Sequence, residues 1–137
     1  MKTVAVVSGG MDSVTLAHHL VAEGDELILA SFDYGQRHSK ELSFARTCAE
    51  RLSAEHHIGD LTSITTMLAG SSLTSADIEV PDGHYAEETM KATVVPNRNA
   101  IMISIAAGLA ISSGADRVAV GVHGGDHFIY PDCRTGF

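Results

Sequence analysis

Apolar residues along this chain switch between short unbroken runs and helical spacings. Thr3 to Val7 is a largely β-branched run without alternation, the pattern of a strand covered on both faces. From Asp12 the apolar positions become Val14, Ala17 and Val21 with Leu16 and Leu20 beside them, and Gly24 follows as a stop. That spacing predicts an amphipathic helix. Glu26 to Phe32 reads again as a strand, Asp33 to His38 as a polar loop, and Leu42, Ala45, Cys48, Ala49 and Leu52 share one face of a second helix. A weaker strand signal lies near Glu55 to Ile58, and the polar stretch from about Thr62 to Thr93 predicts irregular structure. Asn97-Arg98-Asn99 then opens a helix apolar nearly all round, Ile101 to Ile111, which predicts burial between layers. Gly114 ends it, Arg117 to Val122 reads as a strand, and His123 to Asp132 as its loop.

Strands alternating with helices predict an α/β fold: a doubly wound, mostly parallel sheet with helices on both faces. In such folds ligands sit beyond the carboxyl ends of the strands. The segments leaving the strands are Ser8 to Ser13, Asp33 to His38 and His123 to Asp132, and they hold most of the unusual polar residues.

Composition narrows this picture. A chain of 137 residues, 45% hydrophobic, fits one domain with its own core. The formal net charge of −8 repels phosphate backbones, so direct nucleic-acid binding is not expected. Cys48 and Cys133 are too few and too far apart for a disulfide framework or a four-thiolate zinc site, which fits a reducing cytoplasm. The run from Ala100 to Ile111 is shorter than the ~18 residues of a membrane span, and no membrane association is expected.

Ser8-Gly9-Gly10-Met11-Asp12-Ser13 joins a strand to a helix, and paired glycines let main-chain N–H groups approach an anion at the positive end of that helix. The loop lacks the G-K-[ST] of the β,γ-phosphate loop, and no G-x-G-x-x-G follows a predicted strand. The Ser8 and Ser13 hydroxyls can donate to an anion, and Asp12 can hold Mg²⁺ or position a donor. The same residues also read as a tight turn with Asp12 as helix cap.

In this context S-G-G-x-D-S resembles the pyrophosphate (PP) loop of the N-type ATP pyrophosphatases, PP-loop ATPases of the adenine-nucleotide-hydrolase-like fold, which adenylate carboxyl or carbonyl oxygens. Tyr34-Gly35-Gln36-Arg37-His38 with Glu41, Val95-Pro96-Asn97-Arg98-Asn99 and Tyr130-Pro131-Asp132-Cys133-Arg134 narrow the resemblance to the 7-cyano-7-deazaguanine synthase family. The resemblance runs from about Val4 to Phe137, one ATP-binding synthase domain over residues 1–137. It implies that the family continues past this point with a cysteine cluster for structural zinc, whose ligands this sequence does not carry.

The resemblance further implies ATP and Mg²⁺ as requirements, 7-carboxy-7-deazaguanine and ammonia as substrates, the 7-nitrile preQ0 as product, and a homodimer as a possible assembly. It assigns ATP to Ser8, Gly9, Gly10, Met11, Asp12, Ser13, Val14, Asp33 and Tyr34. It assigns the deazaguanine to Gln36, Arg37, Arg98, Asn99, Asp126, Tyr130, Pro131 and Asp132, and catalysis to Asp12, Ser13, Arg37, His38 and Arg98. Arg37 and Arg98 suit phosphate or the charge developing on an activated carboxylate, and His38 a proton from ammonium. His123, Asp126, His127, Asp132 and Cys133 also read as metal ligands, a weaker reading than substrate binding. Cys48 reads as core; His18, His19, His56 and His57 read as exposed or packed without chemistry. A related ligase using another amine, a nucleotide-binding module without turnover, and a Ser-His-Asp hydrolase are the alternatives, the last weakened by the absence of a G-x-S-x-G elbow.

Overall fold

A computed structural model describes residues 1–35, 40–68 and 98–122. Four parallel strands, β1 (Lys2–Val6), β2 (Glu26–Asp33), β3 (Glu55–Asp60) and β4 (Arg117–Val120), lie in the order β3-β2-β1-β4. The helices are α1 (Met11–Ala22), α2 (Lys40–Leu52), α3 (Thr62–Met67) and α4 (Arg98–Ser113).

The strands form where the apolar runs are, because β1 and β2 are sandwiched. Alternate residues project to opposite faces of a sheet. Val4, Ile28, Ala30 and Phe32 pack against Met102, Ala106 and Ala110 of α4. Ala5, Val7, Leu27 and Leu29 pack against Ala17 and Leu20 of α1 and Ala45, Cys48 and Ala49 of α2. Helices therefore cover both faces, as expected. Ile28, Leu29 and Val4 are at most 1% exposed, and each such aliphatic side chain contributes about 1.5–3 kcal/mol on burial.

Three expectations need correction. The segment from Thr62, expected to be irregular, starts with α3, a single short helix held by tertiary bonds: Thr65 Oγ1 donates to the Tyr34 carbonyl at 3.0 Å, and the Leu61 amide donates to the Asp33 carbonyl at 2.7 Å. Among the described residues α4 is not buried all round, since Ile103, Ile105 and Ile111 are exposed while Met102, Ala106 and Ala110 face the sheet. Its buried line is set by four-residue spacing on one side, which an all-apolar sequence conceals. Finally, β4 ends at Val120, and Gly121 and Val122 follow outside the strand.

β1 pairs with β2 on one side (Val4 opposite Ile28) and with β4 on the other (Val4 opposite Val118). The chain thus leaves β1 toward β2, while β4 returns to the opposite side. This is the topological switch point, where the carboxyl ends of neighbouring strands open a crevice.

Candidate functional site

The crevice is built on the segment that leaves β1. The Val7 amide donates to the Ala30 carbonyl at 2.9 Å, the last ladder bond before Ser8. Gly10 caps α1 in an extended conformation, and the Val14 amide and Ser13 Oγ both donate to its carbonyl at 3.1 Å. Gly10, not Asp12, is the helix cap. The Ser8 amide donates to Ser13 Oγ at 3.2 Å, the Gly10 amide donates to Ser8 Oγ at 3.2 Å, and the two hydroxyls are 3.3 Å apart. The loop is therefore ordered by its own hydroxyls. First-turn amides of a helix lack an intrahelical acceptor and carry its positive end, so this end of α1 suits an anion.

Two close approaches hold the loop. Gly9 sits at φ +97°, and a Cβ there would lie 1.8 Å from the Glu41 carbonyl oxygen at the start of α2. Across the crevice a Cβ on Gly121 would lie 3.1 Å from the Asp12 carbonyl oxygen and 3.3 Å from the Ser13 Cα. The start of α1 is pinned between α2 and the end of β4.

A pocket of about 300 Å³ opens beside it. Its polar lining comes from Ser8, Ser13, Tyr34, Glu41, Arg98 and Asn99, and its apolar floor from Val6, Met102, Ile103, Val120 and Val122. Arg98, at the start of α4, donates from Nη1 to Tyr34 Oη at 3.2 Å, and its guanidinium carbon lies 5.5 Å from the Tyr34 ring centroid. Tyr34 is buried and is backed by Thr65 of α3. The pocket thus brings together a phenol, a guanidinium and two hydroxyls at the positive end of a helix, which can hold an anionic group and stabilise charge developing on it.

The expected residues are distributed unevenly around it. Ser8, Ser13, Tyr34, Arg98 and Asn99 line the pocket. Gly9 and Gly10 shape the loop. Asp12 is exposed and borders a shallower hollow with Thr15, His19 and Gly121, at the rim. Met11 projects into solvent, and Val14, on α1, is half-buried against the core cluster that α1 and α2 form with the sheet. The Asp33 carboxylate accepts from the Gly35 amide at 3.1 Å and shapes the turn after β2. Gln36, Arg37, His38, Asn97, Asp126, Tyr130, Pro131, Asp132 and the rest of the last loop lie outside the described residues.

Sequence reasoning did not assign Glu41 and Gly121 to the site. Glu41 stood in a recognisable block, whereas nothing local marks Gly121, whose contact is with residues more than a hundred positions earlier. Cys48 is core as expected, with burial pushing its thiol above the usual value. His18 bonds the Val14 carbonyl within its own helix, and His19 pairs with Glu23.

The sheet order and the strand-loop-helix crevice define a doubly wound, parallel α/β protein. Solved structures with this fold include an NMN synthetase from Francisella tularensis (TM-score 0.61, 14% identity, 90% of this chain and 46% of that one). An NH3-dependent NAD synthetase from Campylobacter jejuni is similar at TM-score 0.60, with 15% identity over 91% of this chain and 48% of that one. At such identities the likeness concerns the fold alone.

The chain belongs to the family described as Queuosine biosynthesis protein QueC, whose model matches residues 2–137. It is 69% identical over all 137 residues to a 7-cyano-7-deazaguanine synthase from Rhizobium johnstonii, and 65% identical to one from Agrobacterium fabrum. One from Brucella ovis is 64% identical. This chain spans 58% of the length of the first two and 59% of the third.

Proposed function

We propose that this chain carries the ATP-binding and activating centre of a 7-cyano-7-deazaguanine synthase, converting 7-carboxy-7-deazaguanine and ammonia to the nitrile. The observation that supports it most is the identity to relatives of that name along the whole chain, on a fold in which Ser8, Ser13, Tyr34 and Arg98 meet in one pocket.

The chemistry explains the need for ATP. Oxide is a poor leaving group, so ammonia cannot displace it from a carboxylate. Attack of the carboxylate oxygen on the α-phosphorus of ATP expels pyrophosphate and gives an acyl adenylate. Ammonia then adds at the carbonyl carbon, a proton is lost, and AMP leaves to give the amide. A second adenylation at the amide oxygen, with loss of two protons and AMP, leaves the nitrile.

In this reading the first turn of α1 and the Ser8 and Ser13 hydroxyls hold the phosphates. Arg98, fixed by Tyr34, faces the charge that develops on the activated oxygen. Asn99 contributes an amide to the deazaguanine, and Arg37, His38, Gln36, Asp126 and Tyr130 to Asp132 complete the substrate side. Mg²⁺ neutralises phosphate charge when bound. Among the described residues no trio of His, Cys, Asp or Glu gathers into a cage, and a single carboxylate at the loop, Asp12, fits a cation held mainly by phosphate oxygens.

The test is mass spectrometry of a reaction holding this chain, ATP, Mg²⁺, ammonium and 7-carboxy-7-deazaguanine. Amide followed by nitrile is expected. ATP bound without either product would assign the chain nucleotide binding alone.

A further inference from the structure

Beneath the phosphate loop lies a polar relay that the reaction scheme does not use. Ser31, on β2, is fully buried, and its hydroxyl donates to the Val7 carbonyl at 2.5 Å. The same oxygen lies 2.9 Å from His56 Nε2 on β3. Because the single hydroxyl hydrogen is committed to Val7, Ser31 Oγ must accept from Nε2–H, which fixes the tautomer of a neutral ring. Burial, reinforced by the charges of Arg46 and His57, holds His56 below the usual imidazole range, consistent with a neutral ring. The register places His56 opposite Leu29, so both side chains project to the face covered by α1 and α2.

The bond falls where the strand ladder gives out. Val7 is the residue after β1, and its carbonyl shares one planar peptide unit with the Ser8 amide. That amide is held in turn by Ser13 Oγ. The Val7–Ser8 peptide plane is thus clamped at both edges, its oxygen by Ser31 and its N–H by Ser13. Rotation of this plane would turn the Ser8 hydroxyl and the amides of Gly9 and Gly10 that follow.

We infer that Ser31 and His56 are positioning residues for the Ser8–Ser13 anion loop, the imidazole orienting the buried hydroxyl that sets the Val7–Ser8 peptide plane. Neither residue lines the pocket, so both act through the backbone. The inference rests on the reading of that loop as the phosphate site.

The experiment is calorimetric titration of ATP with Mg²⁺ into the full chain carrying Ser31→Ala, His56→Ala or His56→Gln. His56 stands on β3 and is only partly buried, so His56→Ala keeps the test open if Ser31→Ala does not fold. Loss of one orienting bond corresponds to about a tenfold weaker ATP affinity. Glutamine places its side-chain amide near the position of Nε2 and should recover most of that loss, a rescue that a purely structural role for the imidazole would not require. ATP affinity within about twofold of the parent in either alanine variant overturns the inference. So does a His56→Gln variant as impaired as His56→Ala. If the parent chain binds no ATP, the phosphate-loop reading and this inference fall together; if it binds and Ser31→Ala binds equally, this inference alone falls.

Discussion

Gly9 offers a test of the loop's construction with an internal control. Gly9 and Gly24 adopt nearly the same backbone angle, φ +97° and +95°, but differ in surroundings. A Cβ on Gly24 meets nothing within 4 Å, whereas one on Gly9 would lie 1.8 Å from the Glu41 carbonyl oxygen, 2.7 Å from its carbon and 3.1 Å from its Cα. The obstacle is backbone, at the first turn of α2, and cannot rotate aside. Gly24→Ala therefore carries only the strain of a positive φ, about 1–2 kcal/mol. Gly9→Ala adds the overpacking, another 1–3 kcal/mol or so, and must displace either the loop or α2 by more than an ångström. Urea unfolding of both variants measures the first quantity, and ATP titration the second. The expected result is a larger loss of stability in Gly9→Ala, with ATP affinity reduced at least about a hundredfold, since a misplacement of that size removes several loop contacts together. Gly24→Ala, at the far end of α1, should bind ATP like the parent. Equal unfolding midpoints for the two variants, or undiminished ATP binding by Gly9→Ala, would refute the close approach and the role assigned to it.

Three further outcomes follow from the geometry. Asp25 accepts from the Thr3 hydroxyl at 2.6 Å and from Arg117 at 2.7 Å, and these contacts hold its carboxyl down to about 2 from the ordinary 3.8. Its stabilisation is complete above pH 3.8 and lost as pH falls through about 2. Asp25→Asn should therefore lower stability at neutral pH and flatten the acid limb, and coincident acid unfolding curves would contradict this. Tyr34→Phe keeps the ring beside Arg98 but removes the oxygen that accepts its Nη1–H. It should lower kcat/KM about three- to tenfold with the fold intact, while an unaltered value would separate Tyr34 from the placing of Arg98. Asp12→Asn, at an exposed position, should abolish nitrile formation without changing the thermal melt; turnover that persists removes Asp12 from the mechanism.

Legibility in the sequence followed how local each cause was. β1 and β2 were readable because both faces are covered, so their residues form unbroken apolar runs. β3 gave only a weak signal, since His56 and Gly59 are half-covered while Glu55, His57, Ile58 and Asp60 stay exposed. The existence of α4 was plain and its orientation was not: with apolar residues on every side, only the sheet decides that Met102, Ala106 and Ala110 turn inward. α3 is too short to show a period, and what orders it comes from Tyr34 and Asp33, about thirty residues earlier.

The same division runs through the site. The Ser8–Ser13 loop announced itself because its chemistry is contiguous. Arg98 and Asn99 were readable as candidates from their block, but their meeting with Tyr34 at one pocket is a fact of topology. Gly121 was invisible, because the need for a glycine arises from a backbone that passes from the other end of the described chain. The Ser31–His56 pair was likewise read as ordinary strand, since a serine in an apolar run and a histidine at an edge reveal nothing until the sheet aligns them.

The pairing of β1 with β4 also has a consequence in time. Thr3 stands opposite Arg117, so the first strand made acquires its second neighbour only after 114 further residues. At about 5–20 residues per second of synthesis, that is a wait of roughly six to twenty-three seconds. Through that interval β1 is joined to β2 alone, with an apolar edge open to any other strand. The pocket, which needs Val120 and Gly121 for its wall, cannot yet exist. A nascent chain stalled between β3 and β4 would therefore present the open β1 edge as a template for aggregation, with no pocket yet formed.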